Sequence, residues 1–261
     1  MVVTGDLFDS PTPNAATQFL NFRNGLTRMA KGSAPVVITG NHDQRLKGLF
    51  GADYSEIDRL GTQKLVVDDA SEMLFICFNS SVRGSFARGH ITKSQFRQVG
   101  GEFRNALAAN KRLKQYLPIV LVHHHPYSFD VEPETWVQRM LRLVGMKEEK
   151  LLELKDAEEL HSWCADWRIG TILHGHKHQA RYEARQVSGT DGSELLLTAI
   201  GCGSSLGAEG SPASYNLLRW DSRSRKWVAS FYQSANGGAF REMMLSVSTP
   251  LSEVALPGES G

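Results

Sequence analysis

Four short segments supply oxygen or imidazole groups of the kind that hold divalent cations: Gly5-Asp6-Leu7-Phe8-Asp9, Gly40-Asn41-His42-Asp43, His123-His124-His125-Pro126 and Gly175-His176-Lys177-His178. Carboxylate oxygen, amide oxygen and imidazole nitrogen suit cations such as Mn, Fe and Zn, and this mixed donor set does not choose among them. Clustered in space, such groups activate water and neutralise phosphate charge. Asp6 has two oxygens, so one side chain can bridge two cations roughly 3.5 to 4 Å apart. Asp9, followed by Ser10-Pro11, reads instead as a residue that fixes its loop. Asn41 offers a neutral oxygen directly after a glycine, where the backbone can turn sharply. In His42-Asp43 an adjacent carboxylate would raise the imidazole pKa and keep it a proton donor, which is what a general acid needs.

Three successive imidazoles on an extended chain cannot all face the same way. His124 is the preferred ligand of the three, and His125 the one placed to bond a partner or approach a substrate. His176 and His178 are two apart and share a face, with Lys177 pointing away. His174 reads as a buried structural imidazole, and His90 and His161 as structural or exposed.

Each segment follows a short apolar run. Met1 to Thr4, Pro35 to Thr39, Pro118 to Val122 and Thr171 to Leu173 all read as buried strands. In open α/β sheets the crevice beyond the carboxyl ends of the strands is where ligands bind, so four such ends build one site. Helical spacing is seen over Ala15 to Lys31 (Phe19, Phe22, Leu26, Met29) and Lys93 to Gln115 (Phe96, Val99, Phe103, Leu107). It recurs over Glu132 to Trp167, where Leu160, Trp163, Cys164 and Trp167 form the apolar stripe. Further strands are expected over Lys64 to Val67 and Met73 to Phe78. After the last motif they follow at Ala180 to Val187, Leu195 to Ile200, Tyr215 to Trp220 and Trp227 to Phe231. Alternating strands and helices followed by a run of strands predict a layered α/β sandwich.

The 261 residues carry 29 Lys plus Arg against 28 Asp plus Glu, and this balance leaves no electrostatic footprint for nucleic acid or an anionic membrane. Cys77, Cys164 and Cys202 are too few and too scattered for a disulfide framework and fit a reducing compartment. With no apolar run near the roughly 20 residues that span a bilayer and no signal-like start, the expectation is a soluble, cytoplasmic protein. The glycines at 201, 203, 207 and 210 lack the Gly-Lys-Ser/Thr ending of a phosphate-cradling loop. Arg139, Arg142, Lys147, Lys150 and Lys155, balanced by Glu148, Glu149 and Glu153, read as a solvated helix face.

In their order and residue types the four segments resemble the calcineurin-like metallophosphoesterase family. Its motif string includes Gly-Asp-x-x-Asp, Gly-Asn-His-Asp/Glu, a His before a Pro, and Gly-His-x-His. The likeness runs from about Met1 to His178, and the Gly-Asn-His-Asp form with His-His-Pro is most similar to the cyclic-nucleotide phosphodiesterase branch. This resemblance implies an α/β fold of four layers, α/β/β/α, and a site for two divalent metals. It makes Asp6 the bridging ligand, puts Asn41, His124 and His176 on one metal and His178 on the other. His42 becomes the proton donor or phosphate contact, oriented by Asp43. The implied reaction is attack of a metal-bound hydroxide on a phosphate ester, with cyclic nucleotides or other small phosphodiesters as substrates.

The family's opening Asp-x-His motif does not occur in these 261 residues. The resemblance therefore predicts a sandwich without its first strand and helix, spanning residues 1 to 247, with apolar surface left uncovered and a flexible tail over 248 to 261. It also predicts one firmly bound metal (Mn, Fe or Zn) instead of two, with weak turnover. Two other readings stay open: a nucleotide pyrophosphatase or nuclease of the same fold, and a non-catalytic scaffold that keeps part of the metal site.

Overall fold

The computed structural model describes residues 1–8, 14–31, 33–44, 55–81, 89–127, 154–204, 212–234 and 237–243. Its centre is a six-stranded mixed sheet built from β3 (Leu65–Asp68), β4 (Met73–Cys77), β5 (Leu117–Leu121), β6 (Thr171–His174), β7 (Arg181–Ser188) and β8 (Glu194–Gly201), in the spatial order β3-β4-β5-β6-β8-β7. The four inner strands are parallel, while β3 and β7 run antiparallel at the edges. Two smaller sheets accompany it. One pairs β1 (Val2–Val3) with β2 (Val36–Val37) in parallel, and the other is the antiparallel set β9 (Ala213–Asp221), β10 (Lys226–Ser234) and β11 (Arg241–Met243).

The inner strands are apolar at consecutive positions because both of their faces are covered. Leu74, Ile76 and Phe78 alternate with Phe75 and Cys77, and Val120 and Val122 with Ile119 and Leu121. The first set packs against α4 (Lys93–Ala109) and α5 (Ala157–Asp166) through Phe96, Val99, Phe103, Leu160, Trp163 and Cys164. The second meets Val36 and Ile38 beside β2, with Trp227 and Phe231 of β10. Trp227 also donates its indole N–H to Thr171 Oγ1 at 2.8 Å, a buried bond that ties β10 to β6. A third cluster joins Phe19 of α1 (Ala15–Met29) and Leu60 of α3 (Ser55–Thr62) to Val37 and the half-buried Val3, Leu7 and Phe8.

Several element boundaries differ from the sequence expectation. The helix expected to run from Lys93 to Gln115 stops at Ala109. Asn110 closes it with a backbone N–H on the Ala106 carbonyl and then accepts the Arg112 N–H at 3.1 Å on its own side chain. That local bond opens a separate 3-10 turn, Lys111–Gln115, as short polar side chains do at helix ends. At the other end Thr92 caps α4 by accepting the Gln95 N–H. In α1 only Phe19 of the expected stripe is fully buried, whereas Phe22 is 41% and Met29 77% exposed. Most of the helix expected over Glu132 to Trp167, and the tail after Val247, lie outside the described residues. Among the described residues no helix is long and apolar enough to cross a membrane.

Candidate metal centre

The parallel strands β4, β5, β6 and β8 all end on the same side of the main sheet, and the loop after β1 reaches that side as well. Thr4 makes the junction. Its carbonyl accepts the His123 Nδ1–H at 2.7 Å, and its hydroxyl lies 2.9 Å from Cys202 Sγ beyond β8. Gly5 (φ +98°) and Asp6 (φ +54°) then turn the chain through two successive left-handed conformations. A β-carbon at Gly5 would sit 2.6 Å from both the Gly40 nitrogen and His123 Nδ1, so only glycine allows the loops to meet. A β-carbon at Gly40 would fall on the Asp6 carboxylate.

Asp43, fully buried in the short helix α2 (Asn41–Gln44), clamps this arrangement. It accepts the Gly40 N–H at 2.8 Å and the Phe8 N–H at 3.1 Å, binding the loop after β2 to the loop after β1. Burial pushes the Asp43 carboxyl up to about 7, and the nearby Asp6 charge adds to that against the two N–H donors. Both partners are backbone N–H groups, a contact not anticipated where the sequence reads Asp43 as the residue that orients His42.

Four electron-rich atoms converge in the space so enclosed. His123 Nε2 lies 2.9 Å from Asn41 Oδ1, 3.2 Å from Asp6 Oδ2 and 3.3 Å from His176 Nδ1, and His176 Nδ1 is 3.0 Å from Asn41 Oδ1. Asp6, His123 and His176 form a group of ligand atoms within 4.8 Å of one another. Atoms bound at about 2.0 to 2.2 Å to one cation lie on the order of 3 to 3.5 Å apart around it, so this donor set fits a divalent cation. His123 and Asn41 are buried, and the Asp6 side chain is only 11% exposed.

The backbone turns sharply at the site, as it also does at Lys31, Glu72, Arg168 and Arg225 elsewhere. Asp6, His176 (φ +73°) and His178 (φ +55°) all have left-handed conformations that side-chain-bearing residues seldom adopt. Strain of this kind costs on the order of 1 to 3 kcal/mol per residue and persists where surrounding structure enforces it, commonly at functional sites.

Electrostatics pair Asp6 with His123. Burial alone would raise the Asp6 carboxyl, but His123 and the His42 backbone N–H (3.1 Å) outweigh it and hold it at about 2. Burial alone would lower His123, but Asp6 and the Thr4 carbonyl hold it above the usual imidazole value. The other imidazoles follow their burial. His176 falls to about 3 with His123 as the next cause, His174 to about 4, and His125 to about 2. His178 is lowered too, by burial.

Of the ligands expected from sequence, Asp6, Asn41 and His176 are brought together. His178 lies outside that group, close enough to feel the charges of Asp6, His123 and His42. His124 is placed differently: its Nδ1 is 2.8 Å from Ser80 Oγ and its ring centroid 4.4 Å from that of His176, while His123 meets Asp6. The reason is strand parity. His123 continues the face of Ile119 and Leu121, which looks toward β2, whereas His124 continues the face of Val120 and Val122. That signal lay in the sequence, once the side occupied by β1 and β2 is known. Thr4 and Ser80, which hold the two rings, carried none.

A mixed α/β sheet whose strand ends gather a carboxylate, an amide and imidazoles around one point is the frame of a metal-dependent enzyme. Residues 1–180 match the calcineurin-like phosphoesterase family, and the chain belongs to it. Members of that family hydrolyse phosphoesters with divalent metals. No curated protein matches the chain.

Proposed function

We propose that this protein is a metal-dependent phosphodiesterase acting on small phosphodiesters, cyclic nucleotides among them. The observation that carries this reading is the convergence of Asp6, Asn41 and His176 on His123 Nε2, at 3.2, 2.9 and 3.3 Å. These four residues would hold one cation firmly, with His178 beside them. When bound, a divalent cation supplies charge neutralisation for phosphate and lowers the pKa of water. Mn, Fe and Zn all suit mixed oxygen and imidazole donors.

His42, half-exposed next to the group, would donate a proton to the departing oxygen, while its backbone N–H keeps Asp6 in place. Asp43 would act through the loops that it joins. The three apolar clusters support a four-layer α/β/β/α sandwich, with α4 and α5 outside the main sheet, the smaller sheets on its other face, and α1 and α3 beyond β1 and β2. Hydrolysis of a bis-aryl phosphodiester by the Mn-loaded protein tests the proposal. Turnover that needs metal and falls in His42→Ala supports it, and a fully metal-loaded protein with no turnover on aryl or cyclic phosphodiesters overturns it.

A further inference from the structure

On the helical side of the main sheet, away from the metal centre, α4 and α5 enclose an open groove of about 380 Å³. Arg97, Gly100, Gly101 and Arg104 of α4 form one side, and the indoles of Trp163 and Trp167 the other. Gly100 has a packing reason: a β-carbon there would stand 3.2 Å from Trp167 Cζ2. Gly101 has none, since a β-carbon there meets nothing within 4 Å. Glycine in a helix interior costs stability relative to alanine, so the missing side chain at 101 weakens α4 and does one visible thing, which is to keep the groove open.

The polar groups around the groove are all donors. Trp163 Nε1 lies 3.6 Å from the β-carbon position of Gly100, and no acceptor among the described residues takes its proton. Arg97 and Arg104 are exposed, and among the described residues no carboxylate pairs with either. Arg104 is placed over the Trp167 ring at 5.4 Å. An occupant must therefore supply acceptors and negative charge along an apolar trough. The two arginines are seven residues apart on one helix, about 10 Å along its axis. An extended polyproline-type chain covers that span in three to four residues at about 3.1 Å each. Aromatic-lined grooves recognise such chains because they reach the groove already extended.

We propose that this groove docks an extended acidic peptide segment of a partner protein, with a backbone carbonyl on the Trp163 indole N–H and carboxylates on Arg97 and Arg104. Fluorescence anisotropy of labelled Glu-Pro-Leu-Pro-Glu and a small array of its acidic variants, titrated with the 261-residue chain, tests it. Saturable binding is expected, weakened at least about tenfold in Gly101→Leu, which fills the groove, and in the Arg97→Glu/Arg104→Glu double variant, with helical circular dichroism unchanged. Trp163→Phe, which keeps a ring and removes the donor, should weaken it as well. Three results would overturn the proposal: no saturable binding by any array member up to about 1 mM, equal binding of Lys-Pro-Leu-Pro-Lys, or undiminished affinity in Gly101→Leu. Binding of a labelled single-stranded oligonucleotide in place of the peptides would overturn it too.

Discussion

His123 donates its Nδ1 proton to the carbonyl of Thr4 at 2.7 Å, and this bond aims its Nε2 at Asn41 and Asp6. A histidine that holds a metal through one ring nitrogen commonly donates the other N–H to a carbonyl or carboxylate, which fixes ring and tautomer. Here the partner is supplied by the chain at the end of β1, so the strand that brings Asp6 also orients the imidazole that faces it.

The first prediction separates neighbouring histidines. His123→Ala should reduce Mn²⁺ affinity by about 100-fold or more, as loss of a direct ligand does, and His124→Ala by about tenfold at most. Calorimetric titration of the metal-free variants measures both. The reverse order would place His124 at the cation.

The second concerns pH. In the metal-free protein, the folded pKa of His123 lies above its unfolded value, so its stabilising pair with Asp6 is fully present below about 6.5 and is lost as pH rises through the folded value. The Asp43 carboxyl, pushed up to about 7 from 3.8, has the same sign: stability falls as pH rises between those values. Below about 6.5 the neutral imidazoles of His125, His174 and His176, lowered by burial, act with the opposite sign, so the melts in chelator are read as a difference. The Tm of Asp43→Asn should rise relative to that of the unaltered protein between about pH 4 and 7, and the unaltered Tm should fall above neutral pH as His123 loses its proton. Cation affinity should move the other way, because the His123 Nε2 proton competes with the metal. A metal-free Tm that rises above about pH 7.5, or an Asp43→Asn difference that does not change between about pH 4 and 7, would refute the assignment.

How much of this was legible beforehand depends on what fixes each feature. The inner strands were readable because both faces of β4, β5 and β6 are apolar, and a short apolar run bounded by polar turns has few other solutions. Asp6, Asn41 and His176 were readable because their types and order are those of a metal site. Which of His123 and His124 stands beside Asp6 was not. It turns on which face of β5 looks toward β1 and β2, a fact of tertiary arrangement on which the local sequence is silent. The backbone contacts of Asp43 were hidden for a similar reason. Adjacent to His42 in the chain, it is aimed by the tight turn at Gly40 toward the backbone of two loops. The break of α4 at Asn110 was in principle visible, since asparagine favours helix ends over helix interiors.

A third prediction tests the glycine junction. Gly5→Ala forces a side chain into a left-handed backbone 2.6 Å from Gly40 and His123, and should cost about 1 to 3 kcal/mol together with most of the metal affinity. Denaturant unfolding and metal titration of one preparation measure the two effects. Unchanged values for both would mean that the loops after β1 and β2 do not meet as described.

A fourth concerns the link between sheets. Thr171→Val keeps the shape of the side chain and deprives the Trp227 indole of its acceptor, so it should destabilise the fold by about 1 to 3 kcal/mol and leave cation affinity unchanged. Urea unfolding monitored by tryptophan fluorescence gives the value, and a change under about 0.3 kcal/mol would show that the bond contributes little net stability.

The central claim is that Asp6, Asn41, His123 and His176 together hold one divalent cation, and elemental analysis of the dialysed protein beside its Asp6→Ala and His123→Ala variants tests it most directly. The account predicts about one equivalent of Mn, Fe or Zn per chain in the unaltered protein and almost none in either variant. Two tightly held equivalents, or a single equivalent that survives both substitutions, would contradict it.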